Sequence, residues 1–344
     1  MSDQGGDQRD AREHIRIRRH RFSGDILEAV RAQSRGDNWH GPLEAVTHWA
    51  VVAGWVVMSS WAWRALPVLP ALAAYLLALV CIGGRQRALA GVLHQACHRT
   101  LMASPRAGAV VGSLFGGYPV LQSYSGYRAS HVLEHHAHLG DPVRDPDYVQ
   151  YQRYSLCGPR MRKAALRAHL RRLLGPRLTL SYVAYLLRHR VLVVGEVRWE
   201  RVLRLSLTVA VLVAAARFGC LGALAAYWVL PLVTTQVWAG SVAELLEHYP
   251  IIEVGDRTTL HTSWNRRVSL SSRLLLGERE GEGYHLVHHL FPRVPLWRLK
   301  QVDQVLRRDA EYAALPRLGT ATAAVVQIYR ALPPAQPAAA WAAA

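Results

Sequence analysis

Three short histidine clusters carry most of the chemical potential of this chain: His94-x3-His98, His131-x3-His135-His136 and His285-x2-His288-His289, with His248 between the last two. These nine are drawn from seventeen histidines in all. Side chains three and four residues apart share a helical face, so each cluster presents imidazoles together. Imidazole suits iron, zinc and copper. A lone zinc takes about four ligands, so the set exceeds one zinc's need, and two metals with about four or five nitrogens each fit better. Open positions on such ions admit oxygen, which suggests oxygen activation by non-haem iron. Neutral imidazoles leave a two-metal site strongly positive, so carboxylates are expected around it. Glu134, Asp141, Asp145, Asp147, Glu244, Glu247, Glu278, Glu280 and Glu282 are the candidates. His14, His20, His40, His48, His169, His189 and His261 lack the spacing, and His138, just past the second cluster, is also left out.

The elements that must position these residues are apolar. Blocks at about 45–63 and 66–83 are separated only by Arg64 and Ala65, and blocks at about 203–216 and 221–239 by Arg217, Phe218 and Gly219. Each pair reads as a helical hairpin, and helices of roughly 20 residues cross a bilayer. The expectation is an all-α integral membrane protein with four transmembrane helices, both termini on one side, and a helical cap on that side holding the histidines. The long arginine-rich stretches 1–44, 84–202 and 241–344 then share that side, which the positive-inside rule makes cytoplasmic; a bacterial plasma membrane is the expected location. Residues 107–121 are apolar but short and glycine-rich, so they read as a re-entrant or interfacial piece. The domain reading is an N-terminal cytoplasmic segment 1–44, a catalytic domain 45–310 and a cytoplasmic tail 311–344 ending in PPAQPAAAWAAA.

With 344 residues, 51% of them hydrophobic, the chain can hold one large domain. Its net charge of +17 is almost all arginine, Lys163 and Lys300 being its lysines. This charge flanks membrane-like blocks and no nucleic-acid motif accompanies it, so membrane and protein partners are expected and nucleic acid is not. Cys81, Cys97, Cys157 and Cys220 show no paired spacing and suggest neither disulfides nor a zinc ribbon. The stretch 148–201, with RMRKAALRAHLRRLLGPR, would form an amphipathic basic helix lying on the membrane or in solvent.

The motifs HQACH, YRASHVLEHHAHLGDPVRDPDY and GYHLVHHLFPRVPLWRL, in this order, resemble the three histidine boxes of the membrane fatty acid desaturase superfamily. The likeness covers roughly residues 40–310, and AELLEHYP resembles the family's additional ligand site. It implies a di-iron centre (two non-haem iron ions) held by His94, His98, His131, His135, His136, His248, His285, His288 and His289, with O2 as co-substrate. The second box has three residues before its paired histidines where many acyl-chain members have two, which leaves the subfamily open.

The resemblance implies a desaturase that removes two hydrogens from adjacent carbons of an acyl chain or lipid, consuming oxygen, two electrons and two protons. A hydroxylase or ketolase on the same scaffold is the alternative. The sequence shows no fused haem domain, rubredoxin-like cysteine pair or flavin motif, so electrons are expected from an external donor such as a ferredoxin with its reductase, drawn to the basic face. A non-catalytic metal-binding or transport protein is the third reading. It would need ionisable residues facing a pathway inside the spans, and the apolar blocks are poor in them.

Overall fold

This computed structural model describes residues 17–332, apart from 155, 157–161, 174, 194, 250 and 255–257. His14, Cys157 and the PPAQPAAAWAAA terminus lie outside the described residues. The first hairpin joins α2 (His40–Ala65) to α3 (Val68–Cys97), after a short amphipathic α1 (Gly24–Gln33). Pro67 sits at the N-cap of α3 and Pro70 in its first turn, where a missing N–H leaves no helical bond unmade.

The second hairpin joins α9 (Arg198–Arg217) to α10 (Leu221–His248). Between them Gly219 takes φ +68°, a left-handed turn that glycine adopts without strain. α10 is not straight. A π turn spans Ala225–Val229, Pro231 follows, and Thr234 breaks regular geometry at φ −127°, ψ −82°. Beyond the break, Thr235 donates its hydroxyl to the Leu79 carbonyl at 2.6 Å, pinning α10 against α3. Gly83 makes this approach possible, since a Cβ there would collide with Thr235 and the Gln236 backbone.

Among the described residues two helices, α3 and α10, are long and apolar enough to cross a membrane, against the four spans expected from the sequence. α2 and α9 are the expected hairpin partners. α9 carries Arg198, Glu200, Arg201 and Arg204 in its first turns, so its apolar stretch begins only after Arg204. Beyond that point Val209, Val211 and Val213 are exposed, as are Val57 and Trp61 on α2 and Val68 and Leu69 on α3. The glycine-rich stretch at 107–121 forms no long helix. It forms α4 (Pro105–Val111) and a π turn Gly112–Gly117 lying on α3, tethered where the Trp49 and Trp228 indoles donate to the Phe115 and Pro119 carbonyls.

Between the hairpins lie α5 (Tyr124–Tyr127), continuing into a π-helical segment Arg128–His135, then α6 (Pro146–Arg153), α7 (Lys163–Leu173) and α8 (Pro176–Leu186). After α10 come α11 (His285–Leu290), α12 (Leu299–Leu306) and α13 (Ala321–Ala331). Two apolar clusters bind these into a cap. One contains Tyr148, Tyr151, Leu166, Leu245, Leu246 and Ile328, and the other packs Ile26 and Val30 against Val287, Leu299 and Val302. Each such aliphatic side chain contributes about 1.5–3 kcal/mol on burial.

These clusters revise two expectations. Basic α7 turns its apolar face, Leu166 and Leu170, onto protein instead of lipid or solvent. The segment expected as a tail from 311 is folded as far as Leu332: Arg317–Leu318 pairs in parallel with Asn265–Arg266, and Ala324 and Ile328 are buried.

Candidate metal centre

All nine box histidines meet at one place. His94 lies in the last turn of α3 and His98 caps it; His131, His135 and His136 come from the π segment, His248 ends α10, and α11 supplies the last three. They sort into two adjoining groups, and His131 and His135 also come within 4.8 Å of each other and of Asp147. His94, His98, His131, His136 and His288 each offer a ligand atom, all within 4.8 Å of one another. His135, His248 and His289 do the same, and His285 Nε2 lies 3.0 Å from His248 Nε2. The groups touch where His136 and His289 stack, ring centroids 4.1 Å apart.

The π turn decides how the second cluster divides. The His136 amide donates to the His131 carbonyl at 2.9 Å, a bond across five residues. His131 and His136 therefore face the five-histidine group together, with Nε2 atoms 3.1 Å apart, while His135 faces the other. The single α-helical face expected for this cluster is replaced by two.

The donor set fits metal ions. Burial, reinforced by neighbouring histidines, holds His131, His136, His285, His288 and His289 well below the usual imidazole range, and His98 at about 3. Neutral rings facing one another leave lone pairs opposed: His288 Nε2 is 3.2 Å from His136 Nε2, and His98 Nε2, His131 Nδ1 and His289 Nε2 are buried without a hydrogen-bond partner.

Surrounding groups orient the rings. His248 Nδ1 is 2.9 Å from the Thr262 carbonyl, which can only accept, so Nδ1 carries the proton and Nε2 is left for a metal. His135 Nδ1 lies 3.0 Å from Asp145 Oδ1, so Nδ1 carries a proton and Nε2 is the nitrogen that could bind a metal once its own proton is lost. Burial alone would lower the His135 pKa, but Asp145 and Asp147 raise it to about 9. Asp145 is itself fixed by the amides of Gly140, Asp147 and Tyr148. Asp147 is held by Arg190 at 3.0 Å and by the Tyr185 hydroxyl. Arg190 also donates to Ser130 at 2.7 Å, tying Asp147 to the π segment. Glu200 anchors the start of that segment by accepting from the amides of Tyr124 and Ser125, at 2.6 and 2.9 Å.

Of the nine carboxylates singled out, Asp145, Asp147 and Glu247 reach the histidines, the last at 3.6 Å from His285 Nε2. Glu134 pairs with Arg144, Glu278 with Arg266, Glu280 with Lys300 and Glu282 with Arg87; Glu244 accepts from Tyr182, and Asp141 caps its own turn. His20, His40, His48, His138, His169, His189 and His261 stay outside both groups. Cys97 packs against the Tyr124 carbonyl, pointing away from the histidines on its helix. Arg190, Tyr185 and the Thr262 carbonyl were not legible in sequence. Arg190 is one arginine in a basic stretch, and a backbone carbonyl leaves no residue signature.

A cavity of about 160 Å³ adjoins the histidines between α3, α8 and α10.

A family model described as fatty acid desaturase matches residues 66–320. The chain belongs to the fatty acid desaturase family. It is an oxidoreductase of the desaturase type. A curated relative, the dihydrorhizobitoxine desaturase of Bradyrhizobium elkanii, is 31% identical over 308 residues, covering 85% of this chain and 82% of that protein. The match spans all three boxes and His248.

Proposed function

We propose that this desaturase is a multi-pass membrane enzyme holding two non-haem irons, one on His94, His98, His131, His136 and His288 and the other on His135, His248, His285 and His289. The observation that carries this reading is the convergence of nine largely neutral imidazoles into two touching groups. Bound iron, with O2 and electrons, supplies the oxidising power to remove two hydrogens from adjacent carbons.

The chain's own residues orient and enclose. Asp145 and the Thr262 carbonyl fix the His135 and His248 rings, and Asp147, held by Arg190, supports His135. The cavity is lined by His94, His131, His135, His248, His285 and His288, so a substrate in it is held beside the reacting centre. Electrons come from a separate carrier such as a ferredoxin, which the basic cap favours. Exposed apolar side chains on α2, α3 and α9 support four spans with the histidines and both termini on the cytoplasmic side. The family suggests a lipid or acyl substrate. Desaturation is preferred to hydroxylation because the curated relative, matched over 82% of its length, is named a desaturase.

The test is mass spectrometry of lipid and water-soluble extracts from cells expressing the wild type or His136→Ala. An oxygen-dependent product lacking two hydrogens supports the reading. A product gaining one oxygen moves it to hydroxylation.

A further inference from the structure

Helix α3 presents Arg87, Ala90, Gly91, His94 and Gln95 to the cavity. Spacings of three and four residues put them on one helical face. Gly91 stands at the middle of that face, about 4.5 Å of helix rise before His94. Glycine is among the poorest residues for a helix interior. The backbone here is helical, so no positive φ demands it.

Packing does not demand it either. On the same helix, a Cβ at Gly83 would collide with Thr235, and one at Gly84 with the Leu275 carbonyl. Elsewhere in the cavity wall, a Cβ at Gly240 would meet the Tyr182 hydroxyl at 3.0 Å, and one at Gly281 would strike the Leu296 carbonyl. A Cβ at Gly91 meets no heavy atom within 4 Å among the described residues. The space in front of it is the cavity itself. The walls beside it are fixed, since Arg87 is paired with Glu282 and His285 lies 3.0 Å from His248. At about 160 Å³ the cavity is near the size of an apolar one, about 150 Å³, that takes up a benzene molecule. A few side-chain carbons at position 91 would therefore fill a large share of it.

We propose that Gly91 is a specificity-determining position: its missing side chain is room for the substrate, and a larger side chain there excludes substrate by size while the metal centre stays intact. This deepens the desaturase reading and rests on the cavity being the substrate site.

The test compares wild type with Gly91→Ala, Gly91→Cys and Gly91→Leu, each measured in cells for the product lacking two hydrogens and, after purification, for iron. Gly91→Ala is expected to keep its iron and to melt slightly higher, since alanine favours the helix and its Cβ touches nothing. Gly91→Leu is expected to keep its iron and to lose product about tenfold or more. Membranes carrying Gly91→Cys are treated with methyl methanethiosulfonate, washed and returned to untreated cell extract. The reagent leaves an S-methyl group on a thiol that it can reach. Peptide mass mapping should find that group at position 91, with iron retained, turnover lost, and turnover restored by dithiothreitol; identically treated wild-type membranes should stay active. A merely structural role for the glycine would not give a reversible loss with iron in place.

A Gly91→Leu protein with iron and product at wild-type levels, a Gly91→Cys thiol that stays unmodified in folded protein, or modification that leaves turnover intact would each overturn the proposal. If Gly91→Leu loses its iron as well, the Gly91→Cys arm decides. Iron-loaded wild type that makes no such product would count against the proposed reaction, whereas modification at position 91 reports separately on the cavity.

Discussion

His131 and His136 point into the same group of imidazoles although five residues separate them, because the His136 amide bonds the His131 carbonyl across a π turn. A regular α-helix would rotate them apart by more than a quarter turn. The box spacing and the π turn are one device: the widened turn sends His131 and His136 to one group and His135 to the other. Deleting Leu133, which is exposed, shortens the segment without removing a histidine. The expected outcome is a folded protein, judged by circular dichroism, that has lost most of its bound iron and its turnover. Normal iron content in the deletion variant would show that the register does not matter.

Asp145 acts through His135. Replacing it with asparagine keeps the shape but removes the carboxylate that bonds Nδ1. Partners of this kind are worth about 10- to 100-fold in metal affinity. Asp145→Asn should therefore raise the apparent iron dissociation constant by about that factor, measured by competition with a chelator, and should also lower the melting temperature of metal-free protein, because its NH2 group would face an amide N–H that the carboxylate now accepts. An unchanged constant would remove Asp145 from the site.

Arg204 and Glu196 are both fully buried and lie 2.9 Å apart, with further bonds from Arg204 to the Leu121 and Val191 carbonyls. Glu196 also holds Arg201 at 2.8 Å, so removing Glu196 is the change that leaves the buried Arg204 charge uncompensated, at a cost of about 3–5 kcal/mol. Glu196→Ala is expected to destabilise the protein by about that much in chemical unfolding. The double change Arg204→Met with Glu196→Leu should cost distinctly less. Equal losses in the two would mean that the carbonyl contacts, not the charge pair, dominate.

Metal binding should also report on folding. The groups draw on α3, the π segment, α10 and α11, so ions held there link elements that are distant in sequence. A chelator should lower the melting temperature, and iron should restore it, with the shift growing with free metal concentration. A melting temperature indifferent to chelation would argue against bound metal in both groups.

The chemistry was readable because histidine is expensive to bury in such numbers without a purpose and its spacing repeats. The two hairpins were readable from apolar blocks broken by Arg64 and Arg217. The ring-orienting groups were harder to see. Asp145 and Asp147 were visible only as two of nine acidic candidates, and Arg190 looked like part of a solvated basic run, yet it is buried. Residues 311–332 looked like a tail because they follow the last histidine cluster and lead into the alanine- and proline-rich end, but Ala324 and Ile328 pack in one cluster with Leu245 and Tyr249. The π turn depends on backbone hydrogen-bond register, which side-chain periodicity alone does not specify.

The most direct test is iron stoichiometry by elemental mass spectrometry on purified wild type, His136→Ala, His289→Ala and His189→Ala. About two irons per wild-type chain are expected, with iron and turnover both lost in the two box variants and both retained in His189→Ala. A wild type that binds one zinc or no metal, or a His136→Ala or His289→Ala protein that keeps its full iron and activity, would contradict the two-group assignment.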